Sequence, residues 1–383
     1  LPTATALAPS AQLSSWNALT ETANKWIHQP DFEALRICLA CVKALDIETR
    51  PVWVMIIGPS GTGKTAFYIQ SCLSYPRIEI TDQATVAGVV TMTRGSRGAG
   101  ILDRLGKRGL WVFPDFTVIL NMREDKRNDL FGVQRRICDG SYFRQADGKV
   151  NSWDGRVHSI AAATPAIERY YHANADLGQR YLQVRISRAT PSNDLARKTQ
   201  MQNEHWNEFQ EEVKQSALDF IQPDSGYTPV LPFSVARNIL DWADFIARAR
   251  AIVYRNYKDE ITGVAPDEGS SRVEQQIQGV LKADALLFGQ KTVGEHQQSL
   301  IRRLAFDCLQ RDRRAILYEM QGCCDPIDAP TVQKMSGITH PYAFQRAVDE
   351  LEAVGAVIVE GSGTMSTKRL KLAPSLCDIL NPA

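Results

Sequence analysis

The sequence predicts an α/β domain on a mostly parallel sheet, then an all-α subdomain, then a small C-terminal helix–turn–helix with a β-hairpin. Three observations carry that prediction. Short apolar strands alternate with helical patterns from residue 52 to about 188, as parallel strands joined by crossover helices do. A glycine-rich loop at 58–65 joins the first of those strands to a helical run. The character of the chain then changes near residues 191 and 311. At 383 residues the chain exceeds one compact core and predicts about two or three domains.

Residues 1–30 are rich in Ala, Ser, Thr and Pro and read as a loose lead-in that docks through Trp16 and Trp26. The α/β core occupies 31–190, opening with a helix over about 31–47. Its strands are expected at 52–57, 77–80, 109–113, 157–163 and 181–186. Residues 191–310 read as an α-helical lid, with helical patterns at 192–221 and 234–257, a loop at 262–269, and helices to about 310. In 311–383 a helix leads to a short helix ending in a glycine turn (331–339), a second helix (340–354), and a hairpin whose Gly-Ser-Gly tip follows Val357-Ile-Val-Glu360. That order is the order of a winged helix.

Composition narrows the class. Lys and Arg number 44 against 43 Asp and Glu, a net of +1, so any nucleic-acid contact has to come from a local stripe of charge. No apolar run approaches the roughly 18 residues of a membrane helix. The N-terminus lacks the basic flank and apolar stretch of a signal peptide, and it begins with Leu, as a trimmed piece of a longer protein would. Cys38 and Cys41 fall in a helical pattern with no second Cys/His pair at finger distance, which makes them packing residues. Cys72, Cys138, Cys308 and Cys377 are isolated, and adjacent Cys323 and Cys324 are too close for a relaxed bridge. The six histidines show no ligand spacing. The expectation is a soluble, reducing, cytoplasmic protein without structural zinc and without a membrane partner.

The chemistry starts at Gly58-Pro59-Ser60-Gly61-Thr62-Gly63-Lys64-Thr65, which fits G-x-x-x-x-G-K-[ST] completely between an apolar strand and a helical pattern. Glycines let backbone N–H groups curl around a β-phosphate. Lys64 is then expected at the β/γ oxygens and Thr65 on Mg²⁺, with ATP as the nucleotide. The companion acidic strand is Leu110-Trp-Val-Phe-Pro-Asp-Phe116. An Asp-Glu pair there would orient Mg²⁺ and activate water, but Pro114 and Asp115 stand in its place. Two registers remain open. In one, Pro114 takes the metal-acid position and Asp115 activates water; in the other, Asp115 is the metal acid.

On these residues the stretch 31–310 resembles the AAA+ ATPases, above all the branch with a β-hairpin before sensor 1, that of the minichromosome maintenance (MCM) replicative helicases. Three features carry the resemblance. The run Arg94–Arg108, including Arg94 and Arg97, has a local net charge of +4 where that branch inserts a channel-facing hairpin; a solvated basic loop is the plainer alternative. Alternating side chains around Asp147-Gly148 predict a hairpin, with Arg144 on one strand and Lys149 at the tip, where the resemblance implies a DNA-backbone contact. Ile160-Ala-Ala-Ala-Thr164-Pro165 resembles sensor 1, with Thr164 where the family usually has Asn. By the same resemblance Arg180 of Leu177-Gly-Gln-Arg180 is an arginine finger for a neighbouring subunit, and Arg272 a sensor-2 residue, the alternative for each being an ordinary arginine.

The resemblance implies an ATP-driven DNA motor that draws single-stranded DNA through a hexameric ring, as in the ATP-binding and helicase proteins of bacterial mobile elements and phages. Lys368 and Arg369 of the wing are better phosphate contacts than helix 341–354, where Arg346 faces Asp349, Glu350 and Glu352. A helicase loader or initiator that does not translocate is one alternative reading. A protein-remodelling or defence ATPase of the MoxR-like kind is another.

Overall fold

The computed structural model describes residues 9–73, 75, 77–89, 100–146, 149–170, 180–221, 226–265 and 269–380. They form two compact units, one of Leu1–Val235 with Gln275–Leu300, the other of Ala236–Glu274 with Ile301–Ala383. The expected lid at 191–310 is therefore divided: residues 191–235 and 275–300 group with the α/β core, and 236–274 and 301–310 with the C-terminal residues.

The first unit is built on five parallel strands, β1 (Trp53–Ile57), β2 (Ile78–Ile80), β3 (Arg108–Phe113), β6 (Arg156–Ala163) and β7 (Leu182–Arg185). Their order across the sheet is β2-β3-β6-β1-β7. Every residue of β1 and β6 is buried, as central strands covered on both faces must be. Trp53, Met55 and Ile57 point into a core with Trp111, Phe113, Phe116, Phe131 and Tyr181. The opposite face packs on helix Phe32–Lys43, whose N-terminus is capped by Asp31 accepting from the Ala34 N–H at 3.0 Å. Cys38 and Cys41 lie buried in that helix, and burial pushes both thiols up in pKa. They are packing residues, as expected.

Strands β4 (Ser141–Ala146) and β5 (Lys149–Asp154) form an antiparallel hairpin ahead of β6, in register from Ser141↔Asp154 to Ala146↔Lys149. The turn residues 147–148 lie outside the described residues. At its root the Gly155 N–H donates to the Gly140 carbonyl at 3.0 Å, and the Trp153 indole donates to the Gly106 carbonyl at 2.9 Å.

The N-terminal lead-in is a helix, Pro9–Trp26, not a loose segment. It packs along helix Trp206–Ile221. Trp16 contacts Phe32, Phe220 and Phe288, Trp26 stacks near Phe209, and the Trp26 indole and Lys25 both donate to Glu212. The two tryptophans anchor it as the sequence suggests. Its Ser- and Thr-rich composition hides the helix, because such residues hold helical structure weakly without tertiary contacts.

In the second unit, helix Phe233–Ala249 stops short of the expected 257. Strands β8 (Val253–Arg255) and β9 (Ile261–Val264) follow as an antiparallel hairpin, which replaces the expected helix end and loop. Helices Arg311–Met320, Ala329–Ser336 and Pro341–Ala353 then precede strands β11 (Val357–Glu360) and β12 (Arg369–Leu372), which pair with the short β10 (Ile327–Asp328) in the order β10-β12-β11. A last helix, Pro374–Leu380, is tied to the 321–326 loop by a disulfide between Cys324 and Cys377, whose Cα atoms lie 5.7 Å apart. The reading of Cys377 as isolated, and of the chain as free of disulfides, is corrected here: residues distant in sequence fold within bridging distance. No helix among the described residues is long and apolar enough to cross a membrane.

Candidate nucleotide site

The strand order decides the site. Because β6 lies between β1 and β3, the segments after three adjacent parallel strands share one sheet edge: Gly58 after β1, Pro114-Asp115 after β3 and Thr164 after β6. The carboxyl edge of a parallel sheet is where ligands bind in open α/β folds.

The loop after β1 is fixed on both sides. The Gly58 N–H donates to the Ala163 carbonyl at 3.2 Å, and the Ile186 N–H donates to the Ile57 carbonyl at 2.9 Å. A Cβ at Gly58 would lie 2.6 Å from Cγ1 of Ile186 and 3.0 Å from the Ile186 carbonyl oxygen, so only glycine fits there. Gly61 and Gly63 both have φ of +78°, the left-handed conformation that glycine adopts without a Cβ penalty. Pro59 and Ser60 start the turn, and the Thr62 hydroxyl closes it by donating to the Pro59 carbonyl at 2.8 Å.

Lys64 and Thr65 open the helix that leaves the loop, a π-helical turn at Lys64–Ile69 passing into Gln70–Cys72. The Lys64 ammonium folds over its own loop and donates to the Gly58 and Pro59 carbonyls, each at 2.7 Å. Partial burial draws its pKa down, and the nearby Asp115 carboxylate draws it up. Three contacts hold this helix. Tyr68 accepts from the Asp31 N–H at 3.0 Å, the Gln210 amide donates to the Ala66 carbonyl at 2.9 Å, and the Gln70 amide donates to the Gln210 carbonyl at 3.4 Å. Gln210 and Ile186 position the loop, and neither belongs to a motif that the sequence offers.

The acidic strand ends at Phe113, and Pro114 and Asp115 lie just beyond it. The Thr65 hydroxyl donates to the Pro114 carbonyl at 3.3 Å, so a main-chain oxygen stands opposite Thr65. Asp115 is exposed one residue further on, its Oδ1 accepting from the Thr117 N–H at 2.9 Å in an Asx turn. The Phe116 N–H donates to the Ala162 carbonyl at 2.7 Å and locks this segment to β6. Among the described residues no group of three or more His, Cys, Asp or Glu is placed to hold a metal. A single hydroxyl, Thr65, beside one exposed carboxylate would suit an Mg²⁺ that arrives on a phosphate and keeps most of its waters. Thr164 is half-buried beside the loop, and its carbonyl accepts from the Ile167 N–H at 3.0 Å.

None of the remaining expected residues is in the segments that directly follow β1, β3 and β6. Arg180 is buried, 6% exposed, with its guanidinium on Asp139 at 3.2 Å; it is not offered outward as a finger would be. Arg272 lies in the first turn of helix Ser271–Leu287, in the second unit. Arg144 and Lys149 occupy hairpin positions, paired with Asn151 and Ala146, whereas Arg94 and Arg97 lie outside the described residues. Lys368 is half-buried, and Arg369 faces Asp328 at 3.4 Å while donating to the Pro326 carbonyl at 2.7 Å. On helix Pro341–Ala353, Tyr342 bonds Asp259, and Glu350 receives Arg313 at 3.0 Å, Arg346 at 3.2 Å and Arg255 at 3.3 Å. The β8–β9 hairpin, through Arg255 and Asp259, thus packs on one face of that helix. The chain matches no protein-family model and no curated protein.

Proposed function

We propose that the protein is an Mg²⁺-dependent ATPase of the AAA+ type that acts on DNA. The observation that carries the proposal is the shared edge of β1, β3 and β6, from which the segments bearing Lys64, Thr65, Asp115 and Thr164 all emerge. A triphosphate would take Lys64 from the Gly58 and Pro59 carbonyls. Mg²⁺ bound with ATP would neutralise charge on the β- and γ-phosphates, with Thr65 on the ion and Asp115 orienting the attacking water. With Pro114 in the usual acid position, the ion has one fewer anionic partner, and slow basal hydrolysis follows from that.

The DNA part of the proposal rests on the hairpin ahead of β6, which supports the resemblance to the MCM-like branch. Lys149, beside its turn, would meet the backbone of single-stranded DNA in a ring of six subunits. In the C-terminal domain, read as a winged helix, the DNA contacts fall to Lys368 and Arg369 of the wing, since the β8–β9 hairpin packs on one face of helix Pro341–Ala353. The Pro114 substitution favours a second reading, a loader or initiator that binds DNA without translocating.

ATP turnover with and without single-stranded DNA tests the proposal. A DNA motor gains several-fold, and Lys149→Ala removes the gain while basal turnover survives. Equal turnover in both conditions, together with a silent Lys149→Ala, would remove DNA from the account and leave a remodelling ATPase in its place.

A further inference from the structure

Arg180 sits at a junction. Its guanidinium pairs with Asp139 at 3.2 Å. Asp139 caps helix Glu124–Cys138 and leads, through Gly140, into the root of the β4–β5 hairpin. The carbonyl of Arg180 accepts from the Gln276 amide at 2.8 Å, and the same side chain's oxygen accepts from the Trp53 N–H at 3.4 Å. Trp53 is the first residue of the strand that feeds the phosphate loop. One path of hydrogen bonds therefore runs from that strand through Gln276 and Arg180 to the hairpin root. The pair is asymmetric: the Arg180 side chain is 7% exposed and that of Asp139 is 52% exposed. The hydrogen bond from a buried guanidinium to a carboxylate is charge-assisted and strong, so Arg180 holds Asp139, and the hairpin with it, to the sheet.

We propose that Arg180 is a positioning residue within its own subunit, fixing the hairpin root through Asp139 and linking it to the phosphate-loop strand, instead of completing a neighbour's site. This rests on the ATPase reading above for its consequence, though not for its geometry. In a motor, a change at the nucleotide loop would reach the hairpin along this path.

Hydrogen exchange on the full chain is the first test, because it needs neither DNA nor turnover. In Asp139→Asn the exposed partner loses its charge and the fold keeps its core. Amides of 141–146 and 149–154 are expected to exchange about fivefold faster, the range that coupled contacting residues reach, with β1 unchanged. Unaltered hairpin exchange would overturn the proposal.

The second test measures turnover with and without single-stranded DNA in Arg180→Asp, Asp139→Arg, the double exchange and Arg180→Lys. A cis role predicts that each charge-reversed single variant loses DNA stimulation while the KM for ATP holds. The double exchange and Arg180→Lys regain it. A finger role predicts that Arg180→Asp and Arg180→Lys lose basal turnover, that the exchange does not restore it, and that subunits keeping Arg180 but carrying Lys64→Ala rescue them on mixing; that result overturns the proposal. If DNA stimulates no variant, the wild type included, the DNA reading falls and the exchange experiment alone decides the role of Arg180.

Discussion

The Thr65 hydroxyl donates to the carbonyl of Pro114, 3.3 Å away, so the residue expected to hold Mg²⁺ faces main chain where a carboxylate is usual. From this contact follows a gain-of-function prediction. Pro114→Asp places a carboxylate at that position. It is expected to raise Mg²⁺-dependent ATP turnover about tenfold, the effect of one added favourable interaction of about 1.4 kcal/mol in the transition state. Steady-state kinetics against Mg²⁺ concentration measure it. Unchanged turnover with intact folding would mean that Asp115 already fills the metal role.

Gly58 is held by close approach rather than by a left-handed φ. In Gly58→Ala the new Cβ meets Ile186 and its carbonyl, and overpacking of this kind costs about 2 kcal/mol. The denaturant midpoint is expected to fall accordingly. Nucleotide binding falls with it, since the loop leaves the sheet at this residue.

His158 gives the first unit a pH dependence. It is buried in the middle of β6, its Nδ1–H donating to the Cys41 carbonyl at 3.0 Å, and burial pushes its pKa down to about 3. Its folded pKa lies below the unfolded value of 6.5, so below pH 6.5 the unfolded chain binds the extra proton. The stabilisation is complete above pH 6.5 and is lost as pH falls towards 3, at about 1.4 kcal/mol per unit within that window. Denaturation of wild type and His158→Asn at pH 7 and pH 5 checks this, the variant having the shallower slope.

The Cys324–Cys377 bridge closes a loop of 53 residues, which corresponds to about 4 kcal/mol of loop-closure entropy in the chain-entropy model. Reduction is expected to lower the thermal midpoint of the second unit and to add the mass of two hydrogens. Cys324→Ser has the lower midpoint without reductant.

Much of this was legible in the residues. The glycine-rich loop at 58–65 has a distinctive pattern between an apolar strand and a helix, and Asp147-Gly148 between alternating residues marks the β4–β5 hairpin. What was hidden depends on distant contacts. Helix Pro9–Trp26 is held by Phe220, Phe288 and Glu212 rather than by propensity. Strand β8 is three residues long and follows a strong helical pattern. Its turn signal was present all the same: Asn256 accepts from the Lys258 and Glu260 N–H groups, and Asp259 has φ of +62°. Arg180 reads as a finger from its motif, and only the fold brings Asp139 to it. The disulfide pairs two cysteines that no local spacing connects.

The central claim is that the loop at 58–65 binds a nucleoside triphosphate with Mg²⁺. Titration of a fluorescent ATP analogue into wild type and Lys64→Ala, with Mg²⁺ and with chelator, tests it most directly. The account predicts saturable binding that competes with ATP, weakens without Mg²⁺ and is lost in Lys64→Ala while the melting curve is kept. Binding of equal strength in both chains, or none in the wild type, would contradict it.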